Sequence, residues 1–343
     1  MPPNLSLQHG VQRMQCCPAF FRGRRFNLAA ACLSVALLLS TASSAMAVPP
    51  GEISWTSLVA AAYRALGAKD PDPGTRNPDY LAGRLLDKDF LDKLLRLPED
   101  YQAALAKYRQ RGSSTFYYMT ARTKYIDQVL IQEAMAGAEQ VVILGAGLDS
   151  RAYRFQLQFP QVRFFEVDLP ATQANKKQRV KAALGGLPVG VAYVAVDFDK
   201  DDLGQMLAKA GYRNDRRTLF IWEAVSYYLQ EAGVRATLDF VAKQAKPGSS
   251  LVFDYLTQEA LDRIKSGQSG QRGSAARARH GEPFTFGIKR GHVRDFLAKS
   301  GLVLVEELQA RDMVGRFLIS STGQVLGLPS KSIHLVLVEI PSH

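Results

Sequence analysis

Apolar positions recur along this chain with two different periods. SWTSLVAAAYRALG, residues 54–67, repeats them at helical spacing and stops at Gly67, the pattern of a capped amphipathic helix. Further helical patterns cover 78–97, 99–111 and 116–136. Then the period changes, and short apolar runs near 141–145, 163–168, 191–196, 218–223 and 250–255 alternate with helical stretches. Continuous apolar runs belong to strands buried on both faces, and their alternation with helices predicts an α/β fold with a doubly wound, mostly parallel sheet. Two last runs, 302–306 and 333–340, show no obvious crossover helix between them, so an antiparallel pair closing one edge is expected. Between the fifth strand and this pair, residues 265–283 are rich in Gly, Ser and Arg and almost without apolar side chains. That stretch is expected to be a flexible loop at the carboxyl end of the sheet, either a substrate lid or a plain excursion.

The amino terminus follows neither period. Residues 1–47 hold Arg13, Arg22, Arg24 and Arg25 with no acidic residue, then an apolar stretch from Leu28 to Leu39, then Ala45-Met46-Ala47. This is the layout of a cleavable signal peptide. The apolar stretch is about a dozen residues, short of the ~20 that a spanning helix needs, so no stable membrane span is expected after cleavage. Export to the periplasm or beyond is the expectation, the alternative being a cytoplasmic protein whose start codon is misassigned. The remaining 48–343 read as one domain, a helical cap over 48–136 and a Rossmann-like core over 137–343.

Cys16, Cys17 and Cys32 are the only cysteines and all lie in the leader, so the mature chain offers no disulfide, thiolate metal site or thiol nucleophile. The histidines are scattered without ligand spacing, and no metal is expected. There is no GxSxG elbow to indicate a serine hydrolase. Losing the leader lowers the formal charge from +11 to +7, with Lys176, Lys177, Arg179 and Lys181 clustered. No aromatic residue is interleaved among them, so they read as a solvated helix face and no nucleic-acid partner is expected.

The informative stretch is VVILGAGLDSRAYRF, residues 141–155, in which a buried strand breaks into Gly145-Ala146-Gly147 and a helix start. Glycines there let backbone approach a ligand with no Cβ in the way. RFFEVDLP follows, and its Asp168 stands 21 residues after Gly147, the distance at which an acidic residue takes ribose hydroxyls in a nucleotide-binding unit. Ser150, where a dinucleotide fingerprint has its third glycine, weakens a pyrophosphate assignment.

Taken with ARTKYID (121–127), VAVDFDKDDL (194–203) and IWEAVSYYL (221–229), these motifs resemble the leucine carboxyl methyltransferase family, from about Trp55 to Ile340. The resemblance implies a seven-stranded sheet, amino-terminal helices over the cofactor, and S-adenosyl-L-methionine as methyl donor. It implies cofactor contacts at Gly145 and Gly147, at Asp168 for the ribose, and at Asp197 and Phe198 for the adenine. Glu223 would face the cofactor's ammonium and Arg122 its carboxylate. The family often has glycine and methionine where this chain has Ala224 and Tyr227. The expected reaction is methylation of a carboxylate or hydroxyl on a small-molecule or peptide acceptor, with no catalytic residue singled out. A nicotinamide-dependent oxidoreductase and a catalytically idle ligand-binding envelope protein are the alternatives.

Overall fold

The computed structural model describes residues 53–95, 101–111, 113–197, 200–268 and 271–342. The proposed leader and Phe198 lie outside the described residues. Ser54 caps α1 (Trp55–Gly67), its hydroxyl accepting from the Ser57 N–H at 3.1 Å. The single helix expected over 78–97 is instead a 3-10 turn, Ala82–Leu85, and a short α2 (Lys88–Leu95), interrupted where Leu86 turns extended. After α3 (Tyr101–Gln110), the long α4 (Ser114–Met135) carries Arg122 into the interior.

The alternating segment then runs β1 (Gln140–Leu144), α5 (Arg151–Phe155), β2 (Arg163–Asp168), α6 (Pro170–Leu184), β3 (Val191–Ala195), α7 (Leu203–Lys209), β4 (Thr218–Trp222), α8 (Glu231–Gln244) and β5 (Ser250–Leu256). All five strands are parallel, and β1 is flanked by β2 and β4. Neighbouring positions feed opposite cores. Val141, Ile143, Leu219 and Ile221 face α1 and α4, whereas Val142, Leu144, Phe220 and Trp222 pack with the Val234, Leu238 and Val241 face of α8. This two-sided burial explains the unbroken apolar runs.

Beyond β5 come α9 (Gln258–Lys265), α10 (Gln271–Arg279), α11 (Val293–Ala298), β6 (Val303–Leu308), α12 (Ala310–Phe317) and β7 (Ile333–Glu339). The full sheet order is β3-β2-β1-β4-β5-β7-β6. The last two strands form the expected antiparallel pair, with β7 inserted between β5 and β6 and α12 within the connection. Among the described residues, no helix is long and apolar enough to cross a membrane.

Residues 265–283 differ from the expected loop. Much of the stretch is the helix α10, and the turn after it is fastened to α1. His280 stacks on Trp55 with ring centroids 4.8 Å apart, and Glu282 Oε2 accepts from the Thr56 N–H at 2.9 Å. The contacts that fasten it come from an imidazole stacked on Trp55, a buried carboxylate and the Arg277 guanidinium against Phe284, which an aliphatic pattern does not register.

Directly after β4, Ala224 adopts φ 61°, the only positive φ at a non-glycine residue among those described. Its N–H donates to Asp254 Oδ1 at 2.6 Å, which holds the conformation. An L-residue there costs ~1–2 kcal/mol, while glycine costs ~0.4–1 kcal/mol through the unfolded chain. Ala224→Gly is therefore expected to stabilise the protein by roughly 0.5–1 kcal/mol in urea unfolding. A variant no more stable than the parent would show that the strain is relieved elsewhere.

Candidate active site

The carboxyl ends of β1, β2, β4 and β5, together with α1, α4 and α10, surround a cavity of about 550 Å³. Gly145 and Gly147 form its floor, at φ 67° and 41°. A Cβ on Gly145 would come within 2.5 Å of Val225 Cγ2, and one on Gly147 within 3.0 Å of Ser57 Cβ, so both the conformation and the space require glycine. Asp168 closes this end, Oδ2 accepting from the Gly147 N–H at 2.6 Å and Oδ1 from the Leu169 N–H at 2.8 Å. Burial raises its pKa, and those two N–H donors oppose the shift. One lone pair on each oxygen remains for further donors.

Behind the glycine turn, Lys176 and Glu166 form a fully buried ion pair at 2.9 Å, and the Lys176 ammonium also reaches the Ala146 carbonyl at 3.3 Å. Tyr153 donates to the second Glu166 oxygen at 2.8 Å. Burial pushes the Glu166 carboxyl up to about 7. One member of the lysine cluster predicted as a solvated face thus points inward and supports the turn.

The other end of the cavity is ionic. Arg122 bridges Glu223 at 2.8 Å and Asp254 at 3.1 Å, and Arg151 bridges Glu223 at 2.5 Å and Asp127 at 2.8 Å. Arg151 also pairs with Asp149, Arg154 with Asp127 and Asp79, and Arg64 with Asp79. The connected network holds four guanidinium groups and five carboxylates, so formally one negative charge is in excess. The two arginines hold the Glu223 carboxyl far below its ordinary range against burial, which pushes the other way. Ser57 Oγ, Arg122 Nε and Arg151 Nη2 are buried without a hydrogen-bond partner.

Five of the seven residues implied by the resemblance, Arg122, Gly145, Gly147, Asp168 and Glu223, line this cavity. Arg122 and Glu223 are themselves in direct contact, 2.8 Å apart. Asp197 is not among the lining residues: it follows β3, pairs with Lys200 at 2.6 Å and closes a turn through Asp201. The sequence reasoning passed over Asp254, Arg151, Arg64 and Asp79. A carboxylate inside the apolar run SLVFDYL was the one available signal for Asp254, since an acid there must find a buried partner.

A doubly wound sheet of this order, with a glycine turn after β1 and an acid ending β2, defines the class of Rossmann-like S-adenosyl-L-methionine-dependent methyltransferases. The model of one family in that class, leucine carboxyl methyltransferase, matches residues 57–242, and the chain belongs to that family. A Bacillus subtilis protein provisionally named as an S-adenosyl-L-methionine-dependent methyltransferase is 29% identical over 276 residues, 76% of this chain and 90% of the relative. One from Mycobacterium tuberculosis with the same provisional name is 34% identical over 209 residues, 60% of this chain and 64% of the relative. An O-methyltransferase family protein from Burkholderia thailandensis aligns over 77% of this chain and 73% of its own, at 16% identity and TM-score 0.44.

Proposed function

We propose that the protein transfers a methyl group from S-adenosyl-L-methionine to an oxygen, a carboxylate or hydroxyl, of a small-molecule or peptide acceptor. The supporting observation is the charge of the ionic network beside the glycine turn. S-adenosyl-L-methionine carries one net positive charge and the network one net negative, whereas a nicotinamide dinucleotide is itself an anion and would add to the excess. When bound, the cofactor supplies a sulfonium methyl whose leaving group is neutral.

The chain's own residues then have to bind, orient and exclude water. Gly145 and Gly147 admit the nucleoside against backbone, and Asp168 offers its free lone pairs to ribose hydroxyls. Arg122 and Glu223 present one charge of each sign to the amino-acid tail. An ionised carboxylate acceptor needs no base, and no side chain here has to take its proton. Loss of the sulfonium charge leaves S-adenosylhomocysteine neutral, so the network holds product less firmly than substrate. Residues 1–47 are proposed to direct export, in which case the native protein begins at Val48.

Thermal shift with S-adenosyl-L-methionine, S-adenosylhomocysteine and NAD tests this. A ligand at a hundred times its Kd stabilises by ~2.7 kcal/mol, and the first two ligands are expected to do so while NAD does not. Stabilisation by NAD alone would identify an oxidoreductase, and no response to any of the three would favour an idle binder.

A further inference from the structure

The cavity continues past the ionic network into a compartment walled by Tyr227, Tyr228, Leu256, Ile264 and Phe284. One cation stands in that wall. The Arg277 guanidinium, from α10, lies 3.9 Å from the centroid of the Phe284 ring, and its Nη2 donates to Ser274 Oγ at 3.3 Å. Its Nε is buried and has no partner. The two other arginines lining this cavity, Arg64 and Arg122, each pair with at least one carboxylate, but among the described residues none pairs with Arg277. Glu282 follows on the same segment, yet its Oε2 is held by the Thr56 N–H and it is not among the residues lining the cavity. Burial accordingly lowers the Arg277 pKa, with only the Tyr228 and Tyr227 phenols opposing.

A guanidinium left half-buried without a counter-ion is costly unless something supplies one. We infer that Arg277 is the anion anchor of the acceptor compartment, and that the acceptor is an apolar acid whose single carboxylate it seats. The wall is aromatic and aliphatic, which selects an apolar body. One uncompensated positive charge matches a monoanion, whereas a phosphate dianion would leave a charge in excess against that wall. The planar fork of arginine suits a carboxylate bound through two parallel hydrogen bonds. Stacking on Phe284 fixes the plane of the fork in advance. This inference rests on the proposed methyltransferase activity, because it concerns the second substrate of that same cavity.

Titration calorimetry on protein saturated with S-adenosylhomocysteine tests it, using octanoate and 4-phenylbutyrate as probes beside octanol, 4-phenylbutanol and octylphosphonate. Each acid is expected to bind about ten- to a hundredfold more tightly than its alcohol, the usual range for a hydrogen-bonded charge contact. Octylphosphonate should bind no better than octanoate. In Arg277→Gln the preference for acid over alcohol should fall to near unity with S-adenosylhomocysteine affinity unchanged, and Arg277→Lys should keep part of it. The inference is overturned if acids and alcohols bind alike while S-adenosylhomocysteine binds normally. It is equally overturned if the preference survives in Arg277→Gln, or if the phosphonate is the tightest ligand. Should acids bind selectively to a wild-type protein that ignores S-adenosylhomocysteine, the anchor stands and the methyltransferase assignment falls.

Discussion

Asp254→Ala should lower stability by ~3–5 kcal/mol, the usual cost of removing one partner from a buried ion pair. The residue has no exposed surface, and its carboxylate serves several groups at once. Oδ2 accepts from Tyr118 at 2.6 Å and lies 3.1 Å from Arg122 Nη1, while Oδ1 holds the Ala224 N–H at 2.6 Å. Alanine would leave a buried phenol without its acceptor, leave Arg122 with Glu223 as its one carboxylate, and release the left-handed turn after β4. At ~2–4 °C per kcal/mol for a domain somewhat smaller than this one, the melting temperature should fall by roughly 6–20 °C. Asp254→Asn keeps the Ala224 contact but loses the charge, so it should recover only part of the loss. Denaturant unfolding with an unchanged slope measures both, and a loss below ~1 kcal/mol in Asp254→Ala would mean that Glu223 alone satisfies Arg122.

The second large effect is on cofactor affinity. Arg122→Ala or Glu223→Ala removes one of the two charges proposed to face the amino-acid tail, and truncating such a contact costs ~2–5 kcal/mol, about thirtyfold to a few thousandfold in Kd. Because the two side chains also bridge each other at 2.8 Å, either change weakens the fold as well, so affinity has to be measured per folded molecule. A second ligand separates the two losses. 5′-Methylthioadenosine keeps the nucleoside and lacks the tail, so its affinity should stay nearly unchanged in both variants. Asp168→Ala, acting through the ribose, should weaken both ligands. Calorimetry showing Arg122→Ala and Glu223→Ala binding S-adenosyl-L-methionine like the parent would dismiss the proposed clamp.

The sheet was readable in advance because β1 to β5 are buried on both faces and each is written as an unbroken apolar run. The glycine turn and Asp168 were equally readable, since a positive φ and a strand-end acid leave local marks. The ionic network was not. Arg64, Asp79, Asp127 and Arg151 come from four separate segments, and only their pairing with one another and with Glu223 distinguishes them from surface charges. Residues 265–283 misled for a related reason: Arg277, His280 and Glu282 hold the segment through ring stacking and a hydrogen bond while counting as polar in any hydropathy profile. Asp197 lies outside the residues lining the cavity, with its carboxylate paired to Lys200.

The insertion of β7 between β5 and β6 bears on how the chain is made. Each strand from β2 to β5 can pair with one already synthesised, β2 and β4 on β1, β3 on β2 and β5 on β4, but β6 has no partner until the chain has been extended through Glu339. A chain halted before Ile333 would expose two open sheet edges, one on β5 and one on β6, with the exposed Val303 and Val305 on the latter. Open edges of that kind recruit other chains. Premature termination or proteolytic trimming near the carboxyl terminus should therefore produce aggregation rather than a soluble fragment, although Arg122, Gly145, Gly147, Asp168 and Glu223 would all still be present.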